Sequence, residues 1–187
     1  MVPGGWAAGG VQMYERTISS KTVHKGRLLT VDVLEVELEN GVRAVREVIR
    51  HGGAVGVLAR SPDSLFVLVR QFRKALETEL IEIVAGGIEQ GELPEACAVR
   101  ETREETGYET ARLVKLGVIA LAPGYSSEML HLFFAELATA GSCCPDHDEF
   151  LQSIRLTETE IDGMILSNEI KDAKTIAAWS LWKARMK

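Results

Sequence analysis

The chain has 187 residues, 46% of them hydrophobic and 26% charged, which suits one ordinary domain with a sizeable core and excludes wholesale disorder. A formal net charge of −6 at pH 7 argues against a nucleic-acid binder that relies on diffuse basic attraction. No apolar run approaches the roughly 20 residues of a membrane-spanning helix, so neither nucleic acid nor membrane is an expected partner.

Residues 1–13 include MVPGGWAAGG, which has neither a basic start nor a continuous apolar stretch, so a flexible leader is expected rather than a signal peptide. Thr17–His24 reads as a strand. Leu34, Val36 and Leu38 alternate with Glu35, Glu37 and Glu39 before Asn40-Gly41 turns the chain into Val42–Ile49, a strong hairpin signal. His51-Gly52-Gly53 breaks the pattern, so 14–50 is read as an N-terminal β-sheet subdomain and 51–187 as the main domain. Ala54–Ala59 and Leu65–Arg70 are apolar strand candidates on either side of a turn-rich Arg60–Ser64. Leu80–Ala85 reads as one further strand ending at Gly86-Gly87. A helix is expected from Pro94, a favoured first-turn residue, to Gly107, a favoured residue just past a helix end. Strands follow over Arg112–Ala120, Met129–Leu137 and Glu149–Leu156, then a helix opening on the capping box Thr157-Glu-Thr-Glu160. A last helix spans Ala173–Arg185 and carries Ile176, Trp179 and Leu181. Strands, a central helix, more strands and terminal helices mean an α+β fold.

Glu101, Glu104 and Glu105 stand at i, i+3 and i+4, about 5–6 Å apart on one helix face. Like charges at that spacing cost an isolated helix only a few tenths of a kcal/mol each, so energy alone does not distinguish a solvated acidic face from a site. The surrounding pattern does. Gly86 to Tyr108 fits Gly-x5-Glu-x7-Arg-Glu-U-x-Glu-Glu-x-Gly-U, with U a bulky apolar residue, through Gly86, Glu92, Arg100, Glu101, Glu104, Glu105, Gly107 and Tyr108. At ordinary residue usage such a match has chance odds on the order of 10⁻⁶. Thr102 departs from it where an aliphatic is expected, read as a packing change that leaves the carboxylates in place.

This segment resembles the Nudix hydrolase signature, and the resemblance implies a Nudix fold, a mixed sheet sandwiched by helices, with the small N-terminal antiparallel sheet appended. It implies hydrolysis of a nucleoside diphosphate linked to another group, with Mg²⁺ as cofactor and Mn²⁺ able to substitute. The chemistry is consistent: Mg²⁺ takes oxygen ligands, typically one or two carboxylates plus substrate phosphates, and clustered metals polarise phosphorus and acidify an attacking water. By resemblance Glu101, Glu105 and the Ala85 carbonyl are metal ligands, Glu104 stands close by, and Arg100 orients a carboxylate of the motif.

Beyond the motif, Arg46-Glu-Val-Ile49, Val69-Arg-Gln-Phe-Arg73, Glu79–Gly86, Pro123-Gly-Tyr-Ser-Ser-Glu128 and Glu169-Ile-Lys-Asp-Ala-Lys-Thr175 are similar to the ADP-ribose pyrophosphatase branch. The same holds for Pro123, 15 residues beyond Tyr108. That branch implies a homodimer packed through the N-terminal sheet, Arg73 on a substrate phosphate, Arg46 near the base, and Glu82 and Glu128 lining the site. In the loop Cys143-Cys-Pro-Asp-His-Asp-Glu149, Glu149 fits a further metal position and His147 stands where the general base is expected; Asp146, Asp148 or a metal-bound hydroxide are alternatives. The expected substrate is ADP-ribose or a related ADP-sugar. The rivals are another nucleotide sugar, such as GDP-mannose or a UDP-sugar, and a nucleotide sensor that does not cleave.

Other features read as structural. Cys97 is a small packing residue one turn before Glu101, and His131 a satisfied core or wall residue. Cys97, Cys143 and Cys144 make a poor disulfide framework and point to a reducing, cytoplasmic setting.

Overall fold

The computed structural model describes residues 14–140 and 151–185, and these form two compact units, one of residues 14–51 with Gly124–Ser126 and the other of the remainder. In the first unit, β1 (Glu15–Lys25), β2 (Thr30–Leu38) and β3 (Arg43–Arg50) form an antiparallel sheet in that order. The hairpin turn falls at Asn40-Gly41, where Gly41 takes φ 78° and its N–H donates to the Leu38 carbonyl at 2.9 Å. A left-handed backbone is cheap only without a Cβ, which is why glycine serves here. Period-2 alternation places Leu34 and Val36 on the buried face. Strand β1 is a sheet edge, exposed along almost its whole length.

The second unit is built on a mixed sheet. Its path is β10 (Leu151–Leu156), β5 (Phe66–Arg73), β4 (Ala54–Arg60), β9 (Met129–Ala140), β8 (Tyr108–Ala120), with β6 (Thr78–Glu82) paired to β5 and β7 (Val84–Gly87) to β4. The β4–β9 pair is parallel, so both strands lie inside and both faces are covered, and β4 reads as a near-continuous apolar run. Alternate residues serve two cores. Leu58, Phe66, Leu68, Leu132 and Phe134 join Ile161 of α2 (Glu158–Leu166) and Trp179 and Trp182 of α3 (Ala173–Arg185) on one face. Val55, Val57, Val67, Phe133 and Ala135 meet Cys97 and Ala98 of α1 (Pro94–Thr106) on the other. Phe66 stacks edge-on against both tryptophans, at centroid distances of 5.0 and 4.9 Å, a favoured arrangement of ring quadrupoles.

The helices begin and end where their sequence signals stand. Pro94 opens α1, and Gly107 closes it at φ 72° with its N–H on the Arg103 carbonyl. Thr157 caps α2 in a reciprocal box with Glu160. One expectation needs correction: Leu80–Ala85 is not a single strand. The chain changes partners at Ile83, passing from β5 on one side to β4 on the other. Ile83 is fully buried, and its amide donates to the Thr175 hydroxyl of α3 at 2.9 Å. A buried N–H outside a ladder needs such an acceptor, and an acceptor 92 residues away has no local sequence signal. No helix among the described residues is long and apolar enough to cross a membrane.

Candidate active site

Strand β7 and helix α1 enclose an acidic cavity of about 240 Å³, lined by Ala85, Gly86, Gly87, Glu89, Arg100, Glu101 and Glu104. Pairing with β4 fixes β7, with Ala85 opposite Gly56 and Gly86 opposite Val55. The helix approaches so closely that a Cβ built on Gly86 would fall on the Glu101 carboxylate. Any side chain at 86 would have to push that carboxylate aside.

Arg100 organises the acids. Its Nε and Nη2 fork onto Glu92 at 2.9 and 3.0 Å, while Nη1 donates to Glu101 at 2.7 Å and Glu104 at 3.0 Å. Nη2 also reaches the Gly87 carbonyl at 3.2 Å. One guanidinium thus ties the loop before α1, the last residue of β7 and two helix carboxylates into a single bracket, where the sequence implied one pairing. Planarity and five donors make such a junction possible for arginine and not for lysine. The Glu92 fork, with the Glu89 amide, holds the Glu92 carboxyl down at about 2. Its folded value lies below the ordinary one, so its stabilising contribution is complete above about pH 4.5 and is lost as pH falls through about 2. A ¹³C-NMR titration of the Glu92 carboxyl should show that low midpoint; a midpoint above pH 4 would mean that the bracket does not hold in solution.

Glu105, only 4% exposed, lies on the buried side of α1 with Cys97, Ala98 and Thr102. Thr102 fills an apolar position because its hydroxyl donates to the Ala98 carbonyl at 2.7 Å, so no polar group is left unpaired. Cys97 is fully buried, its Sγ lies 3.3 Å from the Gly87 carbonyl, and burial pushes the thiol up to about 12; it packs as a neutral side chain. His131 departs from the satisfied residue expected of it. It is half-buried, its Nδ1 has no hydrogen-bond partner among the described residues, and burial, with Lys115 nearby, holds its pKa below the ordinary value.

A second cluster joins β5, β6 and α3. Glu82 is 1% exposed and accepts a side-on fork from Arg73, Nε at 2.7 and Nη2 at 2.6 Å, together with a close contact from the Lys174 ammonium. Burial opposes the Glu82 charge, but Arg73 and Lys174 together outweigh it and hold its pKa below the ordinary carboxylate value. The Arg73 guanidinium is raised by its bond to Glu82 and further by the negative charges of Asp172 and Glu105, so this cluster lies within electrostatic reach of α1. Of these residues the sequence implied Arg73 and Glu82 and assigned nothing to Lys174. The available signal was Asp172-Ala-Lys-Thr175, a helix-capping pattern that contains a cation.

The other candidates stand on other elements. Arg46 sits on β3 of the first unit, forked onto Glu15 at 3.0 and 2.6 Å. Glu128 is half-buried immediately before β9 in the second unit. His147 and Glu149, with Cys143, Cys144, Asp146 and Asp148, lie outside the described residues.

Among the described residues no three His, Cys, Asp or Glu side chains form a ready metal-binding group; Arg100 draws Glu101 and Glu104 toward itself. The donors nevertheless suit a hard divalent cation. Ala85, Glu101 and Glu104 border one polar cavity, a backbone carbonyl and two carboxylates are oxygen donors, and Gly86 leaves the Glu101 carboxylate lying directly on the strand.

Comparison with known proteins shows the family. Residues 50–179 match the NUDIX domain and residues 15–49 the nucleoside diphosphate sugar hydrolase N-terminal domain. The chain is 39% identical over 166 residues to an ADP-ribose pyrophosphatase of Bacillus subtilis, and 40% identical over 166 residues to a methanol dehydrogenase activator of Bacillus methanolicus. Each alignment covers 88% of this chain and 90% of the relative. A GDP-mannose pyrophosphatase of Citrobacter koseri is 37% identical over 147 residues, 72% of this chain and 75% of that protein. The crystal structure of an ADP compounds hydrolase superposes with a TM-score of 0.84 at 24% identity, covering 95% of this chain and 97% of that one, and supports the fold. With the motif, the bracket that shapes it and a domain match over most of its length, the chain belongs to the Nudix family of hydrolases.

Proposed function

We propose that the protein hydrolyses the pyrophosphate bond of ADP-ribose, or of a closely related ADP-sugar, to AMP and ribose 5-phosphate, with Mg²⁺ as cofactor. The observation that carries the reading is the Arg100 bracket, which holds Glu101 and Glu104 in one acidic cavity that Ala85 also lines. In this reading Ala85, Glu101 and Glu105 would hold the metal with Glu149, with Glu104 close by, and an ion held there would offset the diphosphate charge that an acidic protein repels, polarise phosphorus and acidify an attacking water. Arg73 would receive a phosphate oxygen, and its Glu82 fork fixes the plane of the guanidinium. His147 is the proposed base, and Arg46 and Glu128 are proposed contacts for the remainder of the nucleotide sugar. Similarity to a protein named ADP-ribose pyrophosphatase over 88% of the chain favours this substrate.

A homodimer is part of the proposal. An 11-residue edge strand, β1, exposed almost throughout, is a template for pairing with another chain. A cytoplasmic site fits the cysteine usage.

Incubation with ADP-ribose, GDP-mannose, UDP-glucose and dinucleoside polyphosphates tests the reading. ADP-ribose should give AMP fastest, with activity lost on chelation and restored by added Mg²⁺. Preferred cleavage of GDP-mannose or a UDP-sugar would move the assignment to another nucleotide sugar. Tight binding of ADP-ribose with no AMP release at saturating Mg²⁺ would make the protein a sensor.

A further inference from the structure

We propose that Lys174 is a positioning residue: by sharing the buried Glu82 carboxylate with Arg73, it fixes that carboxylate and, through it, the orientation in which the Arg73 guanidinium meets a substrate diphosphate. The inference rests on the diphosphate-hydrolase reading above, and it assigns work to the Asp172–Thr175 segment.

The geometry is specific. Glu82 Oε2 receives both Arg73 Nη2 and the Lys174 ammonium. Arg73 takes both oxygens of Glu82, and Lys174 braces Oε2 while it is itself balanced by Asp172. The side-on fork uses Nε and Nη2, which leaves the Nη1 edge of the guanidinium directed away from Glu82. The Arg73 side chain is 38% exposed, whereas that of Lys174 is 11% exposed. The arginine is therefore the cation a ligand can reach, and the lysine stands behind it.

Lys174 is itself held in place. Its ammonium donates to Asp172 Oδ1 at 3.0 Å. Asp172 Oδ2 accepts from the Thr175 amide at 3.0 Å and from its hydroxyl at 2.6 Å, closing the first turn of α3 as an N-cap does. The Thr175 hydroxyl in turn accepts the Ile83 amide, two residues before Ala85. The start of α3 thus fastens both the cation behind Arg73 and the strand junction that leads to Ala85. Fixing such a group in advance removes the ordering cost at the moment a ligand binds.

The test uses the full chain with Lys174→Met, which keeps the aliphatic stem, and Lys174→Arg, which keeps the charge. Lys174→Met should raise KM for ADP-ribose at least about tenfold while kcat changes less than about threefold, and Lys174→Arg should bring KM back to within about threefold of wild type. The same variants are titrated with inorganic pyrophosphate while the ¹⁵N–¹H signal of Arg73 Nε is followed. That signal should move on binding in wild type, and the dissociation constant should rise about tenfold in Lys174→Met. Lys174→Gln, which retains a donor without the charge, is expected to shift both quantities in the same direction and serves if the methionine variant does not fold. Should KM and pyrophosphate affinity stay within twofold of wild type in the folded, uncharged variant while only its melting temperature falls, Lys174 is a core ion pair and the proposal is overturned. If wild type cleaves no nucleotide sugar but the Arg73 signal still responds to pyrophosphate in a Lys174-dependent way, the substrate reading fails and the positioning role stands.

Discussion

Replacing Glu105 by glutamine should lower kcat about a thousandfold, equivalent to about 4 kcal/mol of transition-state stabilisation, with the fold intact. The amide has nearly the volume of the carboxylate, so the buried side of α1, where Glu105 lies with Cys97, Ala98 and Thr102, keeps its packing. What disappears is one negative charge from the set proposed to hold the cation, and a neutral amide oxygen is a far weaker ligand for a hard ion. The Arg73 guanidinium also loses a favourable charge, since Glu105 is among the groups that raise it. Turnover is measured at saturating Mg²⁺ to separate ligation from simple affinity, alongside thermal melting. A kcat within threefold of wild type would falsify the role of Glu105 at the metal.

Gly86→Ala should be nearly as damaging and for a different reason. Gly86 lies in β7 opposite Val55, outside the left-handed region, so an L residue is compatible with its backbone. The added methyl would meet the Glu101 carboxylate, the far end of a flexible side chain that can swing aside. The chain should therefore fold, with a melting temperature within a few degrees of wild type. The displaced carboxylate leaves the strand and the Nη1 of Arg100 on which it sits, and kcat should fall about a hundredfold, the scale of a mispositioned ligand. Gly87→Ala is the control: a Cβ there meets nothing within 4 Å, and activity should stay within a few fold. Equal kcat for the two alanine variants would show that the close approach at Gly86 has no catalytic consequence.

These two substitutions show how differently the site's parts could be read. Glu105 and Gly86 stand in a spacing pattern that local chemistry explains, since carboxylates at i, i+3 and i+4 share a helix face whatever surrounds them. The helix ends at Pro94 and Gly107 and the box at Thr157 and Glu160 are likewise local events. The bracket around Arg100 was only half legible. Its bonds to Glu101 and Glu104 lie within one helical turn, but the fork onto Glu92 and the contact with the Gly87 carbonyl depend on how the loop folds back on α1. The break at Ile83 was illegible, because an apolar run keeps the same composition whether it pairs with one neighbour or changes to another.

The sequence by itself determined the α+β class, the order of all the elements except the split at Ile83, and the carboxylate face, since each follows from periodicity, capping or fixed spacing over a few turns of chain; the family came from the motif's resemblance. The tertiary structure decided which charges meet. Only folding brings Lys174 to a glutamate 92 residues earlier in the chain and sets Arg73 on that same carboxylate. A buried ion pair is specified by the burial that surrounds it, and burial is a property of packed layers that no short stretch of residues contains.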